Sequence, residues 1–95
     1  MALAEASPEY SQEEIFLPVR ATVLHLVRGD DYDPEHSPAA IAEGFGVGAD
    51  NVREIFSGCF ARGEIDRAPT EDGSMLVITA DGERKLAEIE ERLAA

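Results

Sequence analysis

Two short amphipathic segments on either side of a tight turn at residues 46–48 constrain this chain more than any other feature of its sequence. Before the turn, Ser37-Pro38 has the form of a helix start, with Ser as the N-cap and Pro in the first turn, and predicts a helix over 39–45. After the turn, a second helix is predicted over 49–62. This helix is expected to end at Gly63, because glycine readily adopts the left-handed conformation that closes a helix.

Apolar residues repeat at helical spacing in these segments and in the one before them. The helix over 49–62 has a stripe that predicts its buried face, formed by Val52, Phe56, Cys59 and Phe60. In the helix over 39–45, Ile41 and Phe45 lie on one face. Upstream, valines at every fourth position from Val19 predict a helix of about ten residues that ends at Gly29.

A β-hairpin and a last helix complete the predicted order. Two strands are expected over 65–69 and 74–78, and the Asp-Gly pair within the turn 71–73 supplies positive φ values. Thr79 is the predicted N-cap of the last helix. The narrow apolar stripe of that helix consists of Leu86, Ile89 and Leu93. The chain is therefore predicted to be an α+β protein, with a flexible N-terminal arm over 1–12 and one domain over 13–95.

The charge of the chain is strongly negative. The chain contains twenty Asp and Glu and eight Lys and Arg, which gives a formal charge of −12. Seven of the eight cations are Arg. Abundant carboxylates with almost no Lys resemble the composition of proteins from extreme halophiles. In such salt the Debye length is about 3 Å at 1 M, so distant carboxylates hardly repel a phosphate. Residues 49–70, with four acids and three bases, are the least acidic part of the chain.

Several classes of protein are disfavoured by the sequence. The one cysteine, Cys59, excludes an intrachain disulfide and is predicted to lie in the core. The longest apolar runs are far too short to span a bilayer, and the acidic N-terminus lacks the basic region of a signal peptide. These features predict a cytoplasmic protein without a membrane partner. No catalytic set, Gly-rich phosphate loop or cluster at metal-ligand spacing is present, so no enzyme, cofactor or metal is expected.

The order helix, helix, helix, strand, strand, helix resembles the winged helix-turn-helix fold, and particular residues carry the resemblance over roughly 15–93. The segment 41–47 is similar to the positioning helix and turn of that fold. The core and closing residues of its recognition helix are matched by Val52, Phe56, Cys59, Gly63 and Ile65. The segment 78–83 resembles the step from wing to final helix in MarR-like and PadR-like regulators. Overall, the chain resembles small repressor-like regulators of halophilic archaea and their viruses.

This resemblance implies a DNA-reading site on the third helix and the wing. In the fold, the third helix enters the major groove and its N-terminal residues face base edges. The implied DNA-binding residues are Gly48, Asn51, Arg53, Glu54, Ser57 and Arg67. Arg53 is suited to guanine and Asn51 to adenine, whereas Glu54 is suited to cytosine or to an ion pair with Arg53 when DNA is absent. Backbone N–H groups near Gly48 are suited to phosphate.

Three functions remain open on these residues. The first is a regulator that binds double-stranded DNA as a homodimer, with the stripe of the last helix and the segment 15–17 as candidate dimer surface or core. The second is a winged helix that binds a basic protein partner, which the acidic wing tip at 71–72 and Glu54 favour. The third is an acidic mimic of DNA, which the retained Arg53 and Arg67 oppose.

Overall fold

Four helices and one hairpin form the fold, as given by a computed structural model that describes residues 16–95. Helix α1 is described over 16–28, and the remaining elements are α2 (Ser37–Phe45), α3 (Ala49–Ala61), β1 (Ile65–Thr70), β2 (Gly73–Ile78) and α4 (Ala80–Ala94). The predicted α+β class and element order are confirmed. The expected arm over 1–12 lies outside the described residues, as does the start of the expected domain.

Helix α1 forms the centre of the core and closes one residue later than predicted. Val19, Val23 and Leu24 have no exposed surface. The left-handed residue that closes the helix is Asp30, at φ 62, rather than Gly29. The Asp30 N–H donates to the Val27 carbonyl at 3.1 Å, and the next N–H donates to the Leu26 carbonyl at 2.8 Å. Aspartate tolerates this conformation better than most residues with a side chain, so glycine is not required there.

Helix α2 begins at Ser37, and the predicted cap is wrong by one residue. The N-cap position is His36, and no side chain caps the helix. The Ser37 hydroxyl instead accepts a hydrogen bond from the Asp33 N–H at 2.8 Å, which ties the preceding loop to the helix start. The end of α2 is as expected, because Gly46 is left-handed at φ 71. Phe45, predicted to lie on one face with Ile41, is 43% exposed, whereas Ile41 is buried.

Helix α3 follows the predicted stripe closely. Val52 and Cys59 are fully buried, and Phe56 and Phe60 pack against the core from partly buried positions. Gly63 is left-handed at φ 76, which confirms the predicted helix end. Burial raises the pKa of the Cys59 thiol to about 11, and the neighbouring Glu64 carboxylate adds to the effect. The thiol is therefore a neutral core group, as expected from its place on the stripe.

The hairpin pairs in antiparallel register from Ile65 opposite Ile78 to Thr70 opposite Gly73. Its two-residue turn is formed by Glu71 and Asp72. Only Gly73 has a positive φ in this region, at 141°, so the prediction that the Asp-Gly pair supplies positive values holds for the glycine alone.

Helix α4 is attached to the end of α3 through a capping threonine. The Thr79 hydroxyl accepts from the Gly82 N–H at 3.0 Å, as predicted for an N-cap, and donates to the Gly63 carbonyl at 2.6 Å. Leu86 and Ile89 are buried, so most of the predicted stripe belongs to the core of this chain. Leu93, the last residue of the stripe, is 46% exposed.

A buried carboxylate joins α1 to the end of α3. Glu64 is 3% exposed and is the buried charged residue of the described part of the chain. Its Oε2 atom accepts from Nε of Arg62 at 3.0 Å and from Nη2 of Arg20 at 3.5 Å. Two guanidinium groups thus offset the charge of one desolvated carboxylate through its Oε2 atom, whereas Oε1 has no hydrogen-bond partner among the described residues.

Candidate nucleic-acid interface

The outward face of α3 carries the predicted reading residues. Because Val52 and Cys59 point into the core with Phe56 between them, the 3.6-residue period of the helix turns the positions off this stripe outward. Asn51, Arg53, Glu54 and Ser57 are all exposed. These four side chains therefore lie on one accessible helix surface, as the sequence implied.

The start of α3 is open to an anion. Gly48 is the N-cap residue, in an extended conformation, and no side chain makes a capping hydrogen bond there. The Asn51 N–H donates to the Gly48 carbonyl at 3.0 Å. A helix start without a capping side chain leaves first-turn N–H groups for solvent or for a phosphate oxygen.

Arg53 is held by an acid of its own helix. Its Nη1 atom donates to Oδ1 of Asp50 at 2.8 Å, one turn earlier. The expected DNA-free partner was Glu54, and this expectation is wrong because residues one apart on a helix point in different directions, whereas residues three apart are neighbours. The Asp50 carboxylate is 99% exposed, so the pair is a weak surface contact that DNA can replace.

Arg67 on β1 has a different environment. Its guanidinium carbon lies 5.3 Å from the centre of the Phe60 ring, over the ring face. The strand partner opposite Arg67 is the apolar Leu76. The adjacent carboxylate, Asp66, accepts the backbone N–H of Arg67 at 2.8 Å. Arg67 is exposed, so its N–H donors are accessible from solvent.

An aromatic cluster underlies this corner of the molecule. The rings of Tyr32 and Phe56 stack with centres 4.6 Å apart, and Phe56 meets Phe60 edge to face at 5.2 Å. Burial raises the pKa of the Tyr32 hydroxyl to about 12. The cluster links the loop before α2, helix α3 and, through Arg67, the hairpin.

The surroundings of the site remain acidic. The wing tip presents Glu71 and Asp72 to solvent, and Asp50 and Glu54 are exposed on α3. Two features of the site were missed in the sequence reasoning, the ion pair of Arg53 with Asp50 and the role of Phe60 beneath Arg67. The first has a signal in its three-residue spacing. The second joins a helix to a strand, so no local pattern indicates it.

A cluster of metal-ion ligands and a membrane-spanning helix are both absent from the residues described. Within 16–95, no group of three or more His, Cys, Asp and Glu side chains is arranged to hold a metal ion. None of the helices in that part of the chain is both long and apolar enough to cross a membrane.

Comparison with known proteins gives a fold and no family. No protein-family model and no curated protein matches the chain. The transcriptional regulator Tm0710 from Thermotoga maritima is 22% identical over 79% of this chain and 53% of its own, with a TM-score of 0.47, so the chain spans about half its length.

The PcaV transcriptional regulator from Streptomyces coelicolor, solved with its natural ligand, is 18% identical and has a TM-score of 0.50. The match covers 96% of this chain and 72% of PcaV. At this identity the likeness concerns the fold alone, and it agrees with the four helices and two-stranded hairpin described above. The chain therefore has a winged helix-turn-helix fold, similar to that of this transcriptional regulator.

Proposed function

We propose that the protein is a transcriptional regulator that binds double-stranded DNA sequence-specifically, with α3 in the major groove and the hairpin as wing. The observation that carries this proposal is the shared exposure of Asn51, Arg53, Glu54 and Ser57 on α3, beside a wing that bears Arg67. In the winged-helix plan these are the positions that face base edges and backbone. The name of the PcaV transcriptional regulator, which shares the fold, supports the same class of function.

Base recognition is assigned to the exposed face of α3. Arg53 is suited to donate both arms of its guanidinium to N7 and O6 of guanine, after leaving Asp50. Asn51 is suited to pair with N6 and N7 of adenine, and Glu54 to accept from N4 of cytosine. Each good bidentate contact discriminates by about 1–3 kcal/mol against the wrong base. Ser57 completes this face as a contact to phosphate or base.

Backbone contacts are assigned to Arg67 and to the N–H groups at the start of α3 beside Gly48. With so few cations the counterion-release contribution is small. The one phosphate-facing cation assigned to each protomer, Arg67, gives a slope of log K against log salt of about −0.9, or twice that for a dimer. Binding by this protein therefore rests on base contacts and shape more than on charge, which is compatible with a formal charge of −12.

A homodimer and a cytoplasmic location belong to the same proposal. The dimer surface must differ from the whole stripe on α4, because Leu86 and Ile89 are buried within the chain. Leu93 is the exposed remainder of that stripe. Leu17 is buried and Phe16 partly buried, while residue 15 of the other candidate surface lies outside the described residues.

The test is fluorescence anisotropy with duplexes from the protein's own promoter, at several KCl concentrations up to molar. Arg53→Ala removes the proposed guanine contact, and Arg84→Ala is its matched control, because Arg84 also pairs with an acid three residues away but lies on α4. Specific binding that is lost in Arg53→Ala and kept in Arg84→Ala supports the proposal. Absence of specific binding by the folded wild type at every salt concentration refutes it.

A second function is favoured by one observation, the ion pair of Asp50 with Arg53. This pair and the exposed acids Glu54, Glu71 and Asp72 give the reading face the charge of a surface that binds a basic protein. An affinity capture with immobilised wild type and with Asp50→Lys separates the two functions. A partner retained by the wild type and lost by the variant, together with no DNA binding, favours the adaptor.

A further inference from the structure

The environment of Arg67 differs from that of most other cations of the chain. All eight Lys and Arg lie within the described residues. Six of them form ion pairs with carboxylates of the chain: Arg20, Arg28, Arg53, Arg62, Arg84 and Lys85. Arg67 forms no such pair within the described part of the chain. Its guanidinium instead lies over the Phe60 ring.

We propose that Phe60 is a positioning residue that holds Arg67 ready for a DNA phosphate, an inference that rests on the proposed DNA-binding function. The face of an aromatic ring carries partial negative charge and attracts a guanidinium without accepting its in-plane N–H bonds. A carboxylate partner, in contrast, occupies those N–H groups and must be displaced. Arg67 therefore keeps its donors for a phosphate, which guanidinium binds through two parallel hydrogen bonds.

The Phe60 ring is itself held in place. Phe56 meets it edge to face, with the ring planes at 86°, and Phe56 stacks on Tyr32 with planes at 10°. Tyr32 is 9% exposed, so the aromatic cluster of Tyr32, Phe56 and Phe60 is anchored in the core. A ring fixed in this way restricts the long side chain of Arg67 before DNA arrives, and less side-chain freedom is lost on binding.

The neighbouring groups leave this contact undisturbed. The Asp66 carboxylate, next in sequence, bonds to the backbone N–H of Arg67. Leu76, opposite on β2, carries no charge. Asp30 lines the same cleft as Arg67, and none of the ion pairs between described residues joins the two. In a chain with twenty acidic residues, contact with an aromatic ring rather than with a carboxylate keeps the N–H donors of Arg67 accessible.

The test compares Arg67→Ala, Phe60→Leu, Phe60→Tyr and the double variant in anisotropy titrations over a KCl series. Arg67→Ala is expected to reduce the magnitude of the salt slope by about 0.9 per protomer. Phe60→Leu, which removes the ring but keeps an apolar side chain, is expected to shift the slope in the same direction and to weaken binding several-fold. Phe60→Tyr keeps the ring and is expected to retain the wild-type slope.

The double variant decides whether the two residues act together. Arg67→Ala in the Phe60→Leu background is expected to cost less affinity than it does in the wild type, because the leucine variant has already lost the positioned contact. Additive losses, or a wild-type salt slope in Phe60→Leu, overturn the inference. The matched control Arg84→Ala removes a cation from α4, and its slope is expected to equal that of the wild type.

A measurement without DNA guards against a folding defect in Phe60→Leu. The aliphatic protons of Arg67 are expected to show an upfield ring-current shift by NMR in the wild type and in Phe60→Tyr. Random-coil shifts in the folded wild type overturn the inference irrespective of any variant. A wild type that binds no duplex refutes the proposed function, and with it the phosphate role of Arg67, whereas intact binding with no effect of Phe60→Leu refutes the positioning role alone.

Discussion

Replacing Gly82 by alanine is expected to destabilise the fold, although glycine-to-alanine changes inside helices usually stabilise them. Gly82 lies in the first turn of α4 and is buried. A Cβ atom at this position would fall on the backbone carbonyl oxygen of Glu64 and 2.6 Å from Cγ1 of Ile78. The Glu64 carbonyl cannot move aside easily, because it accepts a hydrogen bond from the Thr79 N–H at 3.0 Å. Helix α4 must therefore move away from the Glu64 backbone and from Ile78 to admit one methyl group.

The magnitude follows from three opposing contributions. Overpacking of a core contact costs about 1–3 kcal/mol. Displacement of Gly82 from the Thr79 hydroxyl weakens an N-cap that contributes about 1 kcal/mol. The higher helix propensity of alanine offsets about 1 kcal/mol of this loss of stability. The expected loss is therefore about 2 kcal/mol, which corresponds to a fall of about 10 °C in Tm for a domain of this size.

Gly44→Ala is the matched control for this change. Gly44 is inside α2, it has no positive φ, and nothing lies within 4 Å of the position its Cβ would take. Alanine is expected to stabilise the protein there by about 0.5–1 kcal/mol. Both variants are compared with the wild type by urea unfolding, followed by far-UV circular dichroism. Shifts of the same sign in the two variants would refute the close approach of α4 to the Glu64 backbone.

Four further predictions concern charged and titratable groups. Glu64→Gln is expected to lower the free energy of unfolding by about 1.5–3 kcal/mol, because the negative charge that pairs with two guanidinium groups is lost. Urea unfolding measures this change, and an unchanged unfolding midpoint would contradict the prediction. The Cys59 thiol, with its pKa raised to about 11, is expected to react with a thiol reagent at least about 100-fold more slowly than the unfolded chain at neutral pH. Because the pKa of the Cys59 thiol is higher in the folded state than in the unfolded chain, the contribution of the thiol to stability is full below the unfolded pKa. This contribution is lost as the pH rises towards 11, and unfolding curves at alkaline pH would show the loss. Asp50→Asn is expected to strengthen DNA binding several-fold by releasing Arg53, and weaker binding in titrations would contradict the assigned competition.

Features set by local chemistry could be predicted from the sequence. Gly63 closes α3 in the left-handed conformation, and Thr79 caps α4, because both effects depend on residues within one helical turn. The α3 stripe was predictable for the same reason. The fold class followed, since the order of elements restricts a chain of this length to few arrangements.

Features that depend on distant contacts were not predictable. Phe45 follows the helical spacing of Ile41, yet no element within residues 16–95 covers it, and it remains 43% exposed. Gly82 is demanded by the backbone of Glu64, 18 positions away in the printed sequence. Phe60 was expected to serve only the core, and its contact with Arg67 arises from the way the hairpin returns over α3. Helical periodicity identifies an apolar face but does not say which neighbour covers each residue of it.

Selection of binding sites from random double-stranded DNA, by wild type and by Arg53→Ala in parallel, tests whether α3 reads base sequence. The wild type is expected to enrich a defined motif, and the variant is expected to lose the preference for guanine at one position of that motif while the other positions persist. No enriched motif with folded wild type, or the same motif with both proteins, would contradict the assignment of α3 as the reading helix.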